Sequence, residues 1–153
     1  MLEIENIHKR FNPGTPNEVY SLRGVSLKIE EGSFCIVIGS NGSGKSTLLN
    51  AVAGVFRPDA GTIKISGNDV SAWAEHRRAS LVGRVFQNPF SGTAPHMTVA
   101  ENLALASRRG MSRGLGRLIS RGRRDEFKDA LSRLSMGLDN CLDNEIGTLS
   151  GGQ

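Results

Sequence analysis

The sequence predicts an α/β fold, and three observations carry the prediction. Apolar and polar residues alternate through much of the first third of the chain. A continuous apolar run at 34–38 then leads through a glycine-rich loop into helical spacing, and after Thr98 apolar positions recur three and four apart. The 153 residues suit one ordinary domain with a core of its own.

Residues 2–7 and the alternation of Val25, Leu27 and Ile29 predict a half-exposed sheet, ended by a Glu31-Gly32 turn. The run Phe34, Cys35, Ile36, Val37 and Ile38 predicts a strand buried on both faces. Beyond Lys45, the spacing of Leu48, Leu49, Val52 and Ala53 predicts a helix that stops before Pro58 and Gly61. Residues 62–65 predict a further strand before a Gly67-Asn68 turn, Ser71 is placed to cap a short helix reaching Arg78, and residues 81–86 return to strand character. Thr98 and Glu101 have capping-box spacing ahead of residues 102–107. Phe127, Ala130, Leu131 and Leu134 predict a second long helix, stopped by Gly137.

Composition excludes several classes. Apolar residues make up 38% of the chain, and no apolar run approaches the ~18 residues that span a bilayer. Met1-Leu2-Glu3-Ile4-Glu5 puts acids where a secretory signal needs bases. Cys35 and Cys141 are the only cysteines, too few for a disulfide-stapled scaffold and without zinc-ligand spacing. A soluble, unexported chain in a reducing cytoplasm is expected. The formal net charge of +4 has a local origin, since seven of the 19 Lys and Arg lie in residues 107–124, which hold no acid. The remainder is slightly acidic, which argues against nucleic acid as a partner of the whole chain. Arg109, Arg113, Arg117 and Arg121 recur every four residues, so a helix there would carry one cationic face, although Gly110, Gly114, Gly116 and Gly122 oppose the helix. Such a stripe fits a solvated face, or one that meets anionic lipid headgroups or an acidic loop of a membrane partner.

The chemistry lies between the buried run and the helix. Gly39, Ser40, Asn41, Gly42, Ser43, Gly44, Lys45 and Ser46 fit G-x-x-x-x-G-K-[ST], placed where the phosphate-binding loop must be, after a strand and at a helix N-terminus. Glycines let the backbone wrap with its N–H groups inward, and the helix N-terminus adds partial positive charge. Lys45 supplies a full positive charge toward β- and γ-phosphates, Ser46 offers a hydroxyl to Mg²⁺, and Thr47 continues the cradle. The expected ligands are therefore a nucleotide and Mg²⁺ in a P-loop NTPase core.

A P-loop by itself is shared by kinases, GTPases, helicases and transport ATPases. Leu149, Ser150, Gly151, Gly152 and Gln153 form the pentapeptide LSGGQ, and with it the sequence resembles the ATP-binding subunits of ATP-binding cassette (ABC) transporters along its whole length. The resemblance implies a mixed sheet around the P-loop, an antiparallel β subdomain and a helical subdomain. On this chain they map to 1–90 for the β subdomain and core, 91–149 for the helical part and 149–153 for the signature. It implies that Phe11 stacks on adenine, with Tyr20 the less favoured stacker. It also implies that Gln87, in Val85-Phe86-Gln87-Asn88-Pro89, touches Mg²⁺ and the attacking water and signals to a membrane subunit. Ser150, Gly151 and Gly152 would close on the nucleotide held at Lys45 of a second cassette, in a head-to-tail dimer.

Hydrolysis in this family also needs an apolar run ending in Asp-Glu (Walker B) and a switch histidine, both placed after the signature. Neither occurs in these 153 residues, because His8, His76 and His96 all precede LSGGQ and read as surface residues. The expectation is an N-terminal part of a cassette that hydrolyses ATP at full length and is inactive alone. Permease subunits would hold it at the inner face of the cell membrane. The stretch from Gln87 to Ala106 is similar to a bacterial group serving amino-acid-type uptake. The rivals are a soluble ABC ATPase of translation or DNA repair and a non-hydrolysing nucleotide-binding module. The absence of sustained heptads between Gln87 and Leu149 disfavours the first.

Overall fold

A computed structural model describes residues 1–111 and 119–150 of the chain. The fold divides into two compact units, Met1–Val82 and a second beginning at Gly83.

In the first unit, β1 (Leu2–Phe11), β2 (Val19–Ile29), β3 (Ala60–Ile65) and β4 (Asn68–Asp69) form one antiparallel sheet in the order β2-β1-β3-β4. The register of β1 breaks between Ile4 and Ile7, where Asn6 is left-handed at φ 48° and its freed N–H donates to Ser26 Oγ at 2.9 Å. Strict alternation would put Asn6 on the face of Ile4. The extra residue puts Ile7 there instead, so that both isoleucines are buried. Gly61, at φ 89° on the neighbouring strand, makes room for this bulge, since a Cβ there would fall 2.3 Å from the Asn6 carbonyl oxygen.

Helix α1 (Lys45–Ala53) lies over this sheet. Leu48, Ala51 and Val52 join Ile4, Ile7, Leu22, Ile63, Ile65 and Val70 in one core, with Phe56, Trp73 and Val82 against it. The helix ends where Gly54 takes φ 85° and donates to the carbonyls of Asn50 and Ala51, a left-handed C-terminal cap. The short helix α2 (Glu75–Arg78) begins after Ala74 rather than at Ser71. The Ser71 hydroxyl is engaged elsewhere: it accepts from Ile63 N at 2.8 Å and donates to Asp69 at 2.6 Å, which closes the β3–β4 hairpin.

Two expected strands are not formed. Residues 34–38 are unpaired, with Phe34 90% and Ile38 87% exposed, and residues 81–86 are likewise irregular, with Val85 98% exposed. Apolar composition gives a segment a reason to be buried, but a strand also requires a hydrogen-bonded neighbour, and among the described residues neither run has one.

The second unit holds α3 (Val99–Ser107), α4 (Arg121–Ser132) and single 3₁₀ turns at Pro89–Gly92, Leu138–Asn140 and Ile146–Thr148. Thr98 and Glu101 form the expected capping box. Helix α4 stops at Ser132, short of Gly137, because Ser135 is already left-handed at φ 53°. Val99, Ala100, Leu131, Leu138 and Leu142 make a second core, to which Leu103, Phe127, Ile146 and Leu149 add. The basic stretch is not one helix among the described residues. Ser107 ends α3, Gly110 is left-handed at φ 77°, and Arg121 opens α4, so Arg109 lies in a turn beyond α3 while Arg121 is helical; Arg113 and Arg117 lie outside the described residues.

Gly61 tests the bulge most directly. Gly61→Ala is expected to destabilise the first unit by about 2–4 kcal/mol in urea unfolding, from backbone strain and overlap together. A loss under about 0.5 kcal/mol would contradict this role for the glycine.

Candidate functional site

The residues of the G-x-x-x-x-G-K-S motif come together in the first unit, at the N-terminal end of α1. Gly42 (φ 80°) and Gly44 (φ 89°) take conformations that favour glycine. Close approach adds a second requirement, since a Cβ on Gly44 would fall 2.8 Å from the Ser21 carbonyl and one on Gly39 would fall 2.7 Å from Ser43 Oγ. Gly44 is the N-cap of α1, no side chain caps it, and the first turn contains no acid. The start of the helix therefore keeps its N–H donors for another acceptor.

Lys45 folds back over the loop. Its Nζ donates to the carbonyls of Gly39 at 2.8 Å and Ser40 at 2.7 Å and lies 3.4 Å from Ser43 Oγ. This places a full positive charge beside an uncapped helix N-terminus, inside a loop whose shape excludes extra carbons. That arrangement fits a polyphosphate. Thr47 Oγ1 accepts from Ser21 Oγ at 2.8 Å, which ties the helix to β2. The sequence pattern gave no reason to single out Ser21; its part follows from the sheet register.

Phe11 stands at the end of β1, half-buried and edge-on to Phe56 with centroids 5.4 Å apart. Lys9 Nζ lies over both rings, at 5.7 and 5.3 Å from their centroids, and is held by Asp59 at 2.6 Å and the Arg57 carbonyl at 3.1 Å. Tyr20 is more fully engaged. The Arg10 and Arg23 guanidinium groups lie 4.2 and 5.2 Å from its ring centroid, and its hydroxyl meets His8 Nδ1. That contact makes His8 half-buried, whereas His76 and His96 are exposed.

Gln87 is in the second unit, exposed, between Phe86 and a turn in which Asn88 Oδ1 accepts from Phe90 N at 3.0 Å. The approach to the pentapeptide is well fixed. Val99 N and Ala100 N donate to the carbonyls of Asn144 and Leu142, Ile146 N donates to Met97 O, and Gly147 N donates to Pro95 O. Asn102 secures the other side of this seam, donating to the carbonyls of Ala94, Met97 and Thr98 while its Oδ1 accepts from Ala94 N. Leu149 packs into the core and Ser150 is exposed; Gly151, Gly152 and Gln153 lie outside the described residues.

A profile of the ABC transporter family matches residues 22–153. The chain belongs to this family. The ABC chain is 41% identical over 155 residues to the tyrosine transport ATP-binding protein of Clostridioides difficile (strain R20291), covering all of itself and 61% of that protein. It is 37% identical over 157 residues to the lipoprotein-releasing system ATP-binding protein LolD 1 of Caulobacter vibrioides (strain ATCC 19089 / CIP 103742 / CB 15), covering 63% of it. Among solved structures, the cassette MJ0796, determined as a post-hydrolysis dimer bound to ADP and Pi, is similar with a TM-score of 0.76 and 28% identity, over all of this chain and 65% of that one. The ABC chain thus spans less than two thirds of the length of these relatives, and its α/β fold is that of the cassettes.

Asp59 gives this region a pH dependence. The hydrogen bond from Lys9 leads in holding its carboxyl below the ordinary carboxylate range; the Arg10 N–H, donating at 2.6 Å, adds to the effect and partial burial opposes it. Its charge therefore favours the folded state above the ordinary range, and that gain is lost as pH falls toward the lowered value. Asp59→Asn is expected to flatten the acid limb of the urea midpoint measured from about pH 6 to pH 3. An acid limb as steep as in the parent would contradict it.

Proposed function

We propose that this chain is the nucleotide-binding part of an ATP-hydrolysing ABC transporter subunit. The observation that carries the reading is the Lys45 ammonium folded over an uncapped helix N-terminus in a glycine-shaped loop. Gly39 to Thr47 would surround the phosphates, with Lys45 facing the β- and γ-groups and Ser46 offering its hydroxyl to Mg²⁺. Bound Mg²⁺ would neutralise polyphosphate charge. Phe11 would take the adenine and Gln87 the metal-side water. Ser150, Gly151 and Gly152 would meet the nucleotide of a second cassette, in a dimer that ATP favours and hydrolysis releases. The dimeric MJ0796 structure, bound to ADP and Pi, supports a second cassette as partner.

The rest of the reading concerns the whole protein. Its partners are membrane permease subunits and its place is the cytoplasmic face of the membrane; no helix among the described residues is long and apolar enough to cross one. The working parts are the β subdomain and core at 1–90, the helical part at 91–149 and the signature at 149–153. Amino-acid-type uptake is the favoured transport class, supported by 41% identity to a tyrosine transport protein.

The test is nucleotide affinity. Lys45→Ala is expected to weaken Mg·ATP binding at least ~tenfold, as loss of a charge-assisted contact does, while the urea midpoint stays near that of the parent. Equal affinity in the two proteins would overturn the reading. Residues 1–153 alone, without an Asp-Glu pair after an apolar run, are expected to release no phosphate above the Lys45→Ala background.

A further inference from the structure

Arg78 is the one charged residue that is fully buried among the described residues, at 0% exposure. Its guanidinium donates to four main-chain carbonyls. Nη1 donates to Ala51 at 2.6 Å and Val52 at 3.1 Å in the last turn of α1, Nη2 to Ser71 at 3.0 Å, and Nε to Trp73 at 3.2 Å. The charge of Asp69 offsets that burial in part, and Asp69 in turn holds Ser71 through its N–H at 2.9 Å and its hydroxyl at 2.6 Å. Burial lowers the pKa of the guanidinium, and Asp69 opposes that. A buried cation that spends its donors on carbonyls is expensive for stability alone, where an apolar side chain of the same volume usually serves as well.

The arrangement does what an apolar side chain cannot. The carbonyls of Ala51 and Val52 are at the negative end of α1, the helix whose other end carries Lys45. Ser71 and Trp73 belong to the segment that follows the β3–β4 hairpin, so one planar group fixes the far end of α1 to the sheet. Gly54, the C-terminal cap, is pressed against it, since a Cβ there would fall 2.8 Å from Arg78 Cδ. At the near end, Ser21 holds Thr47 and its carbonyl packs on Gly44. The helix is thus gripped at both ends, and a tilt that follows release of one end moves the amides and lysine at the other.

We propose that Arg78 is a positioning residue for the nucleotide site: by holding the carbonyl end of α1 it sets where Lys45 and the first-turn N–H groups present themselves to phosphate. The inference rests on the nucleotide reading above and makes a separate prediction. In the full chain, Arg78→Met keeps the volume but loses the four bonds. At a temperature well below its unfolding midpoint it is expected to bind Mg·ATP about tenfold more weakly, because small misplacement of a preorganised site is costly. Arg78→Lys, which keeps charge without the planar fork, is expected to fall between the two. Gly54→Ala pushes on the same side chain and is expected to weaken binding too, and in Gly54→Ala/Arg78→Met the two effects on affinity are expected to be less than additive because they share one cause.

Variants that unfold at lower temperature yet bind Mg·ATP within about twofold of the parent would reduce Arg78 to a structural residue and overturn the proposal. If Arg78→Met does not fold, the lysine variant decides alone, with parental affinity counting against the proposal and a loss of threefold or more supporting it. If the parent protein itself binds no Mg·ATP, the nucleotide reading fails rather than this one.

Discussion

Helix α1 must leave its own N-terminus open, and that constraint shapes the first unit around it. An ordinary helix of nine residues is steadied by a side chain at its N-cap and an acid in its first turn. Here the cap is Gly44, the first turn has no acid, and Lys45 adds a positive charge that the helix N-terminus does not favour. Local sequence therefore works against the very end that carries the motif. Stability has to come from burial of Leu48, Ala51 and Val52 on the sheet, from Ser21 at the near end and from Arg78 at the far one. The bulge at Asn6 and the bare Gly61 beside it belong to the same economy, since they turn Ile7 onto the face that receives the helix.

The second unit solves a similar problem for its last described residues. The chain approaching Ser150 has only isolated 3₁₀ turns of its own, yet its carbonyls and amides pair with the residues that open α3, and Asn102 closes the seam. Leu149 is anchored in a core made largely by helices more than ten residues distant in sequence. Leu149 and Ser150 are thus presented by a frame rather than by a loop.

Much of this was legible in the residues, for reasons that can be named. The glycine-rich loop is a local device, set by glycine conformations and a lysine within eight positions, and its placement before a helix followed from spacing. The capping box at Thr98 and Glu101 is equally local and is present as read. What failed was what depends on partners far away in sequence. Residues 34–38 have the composition of a buried strand, but composition does not supply the neighbour that pairing requires. Arg78 sits in His76-Arg77-Arg78, where nothing distinguishes the buried arginine from Arg77, whose guanidinium lies 4.0 Å from the centroid of the Trp73 ring. Ser71 had the right chemistry for a helix cap and spent it on the hairpin instead.

The central claim is that the backbone from Gly39 to Thr47 and the Lys45 ammonium together hold a polyphosphate, and amide chemical shifts of the ¹⁵N-labelled protein titrated with Mg·ATP test it most directly. The largest shifts are expected at the amides of Gly42, Gly44, Lys45 and Ser46, with smaller ones at Thr47 and Ser21. Saturating shifts centred on another part of the chain, with the loop amides unmoved, would contradict the account.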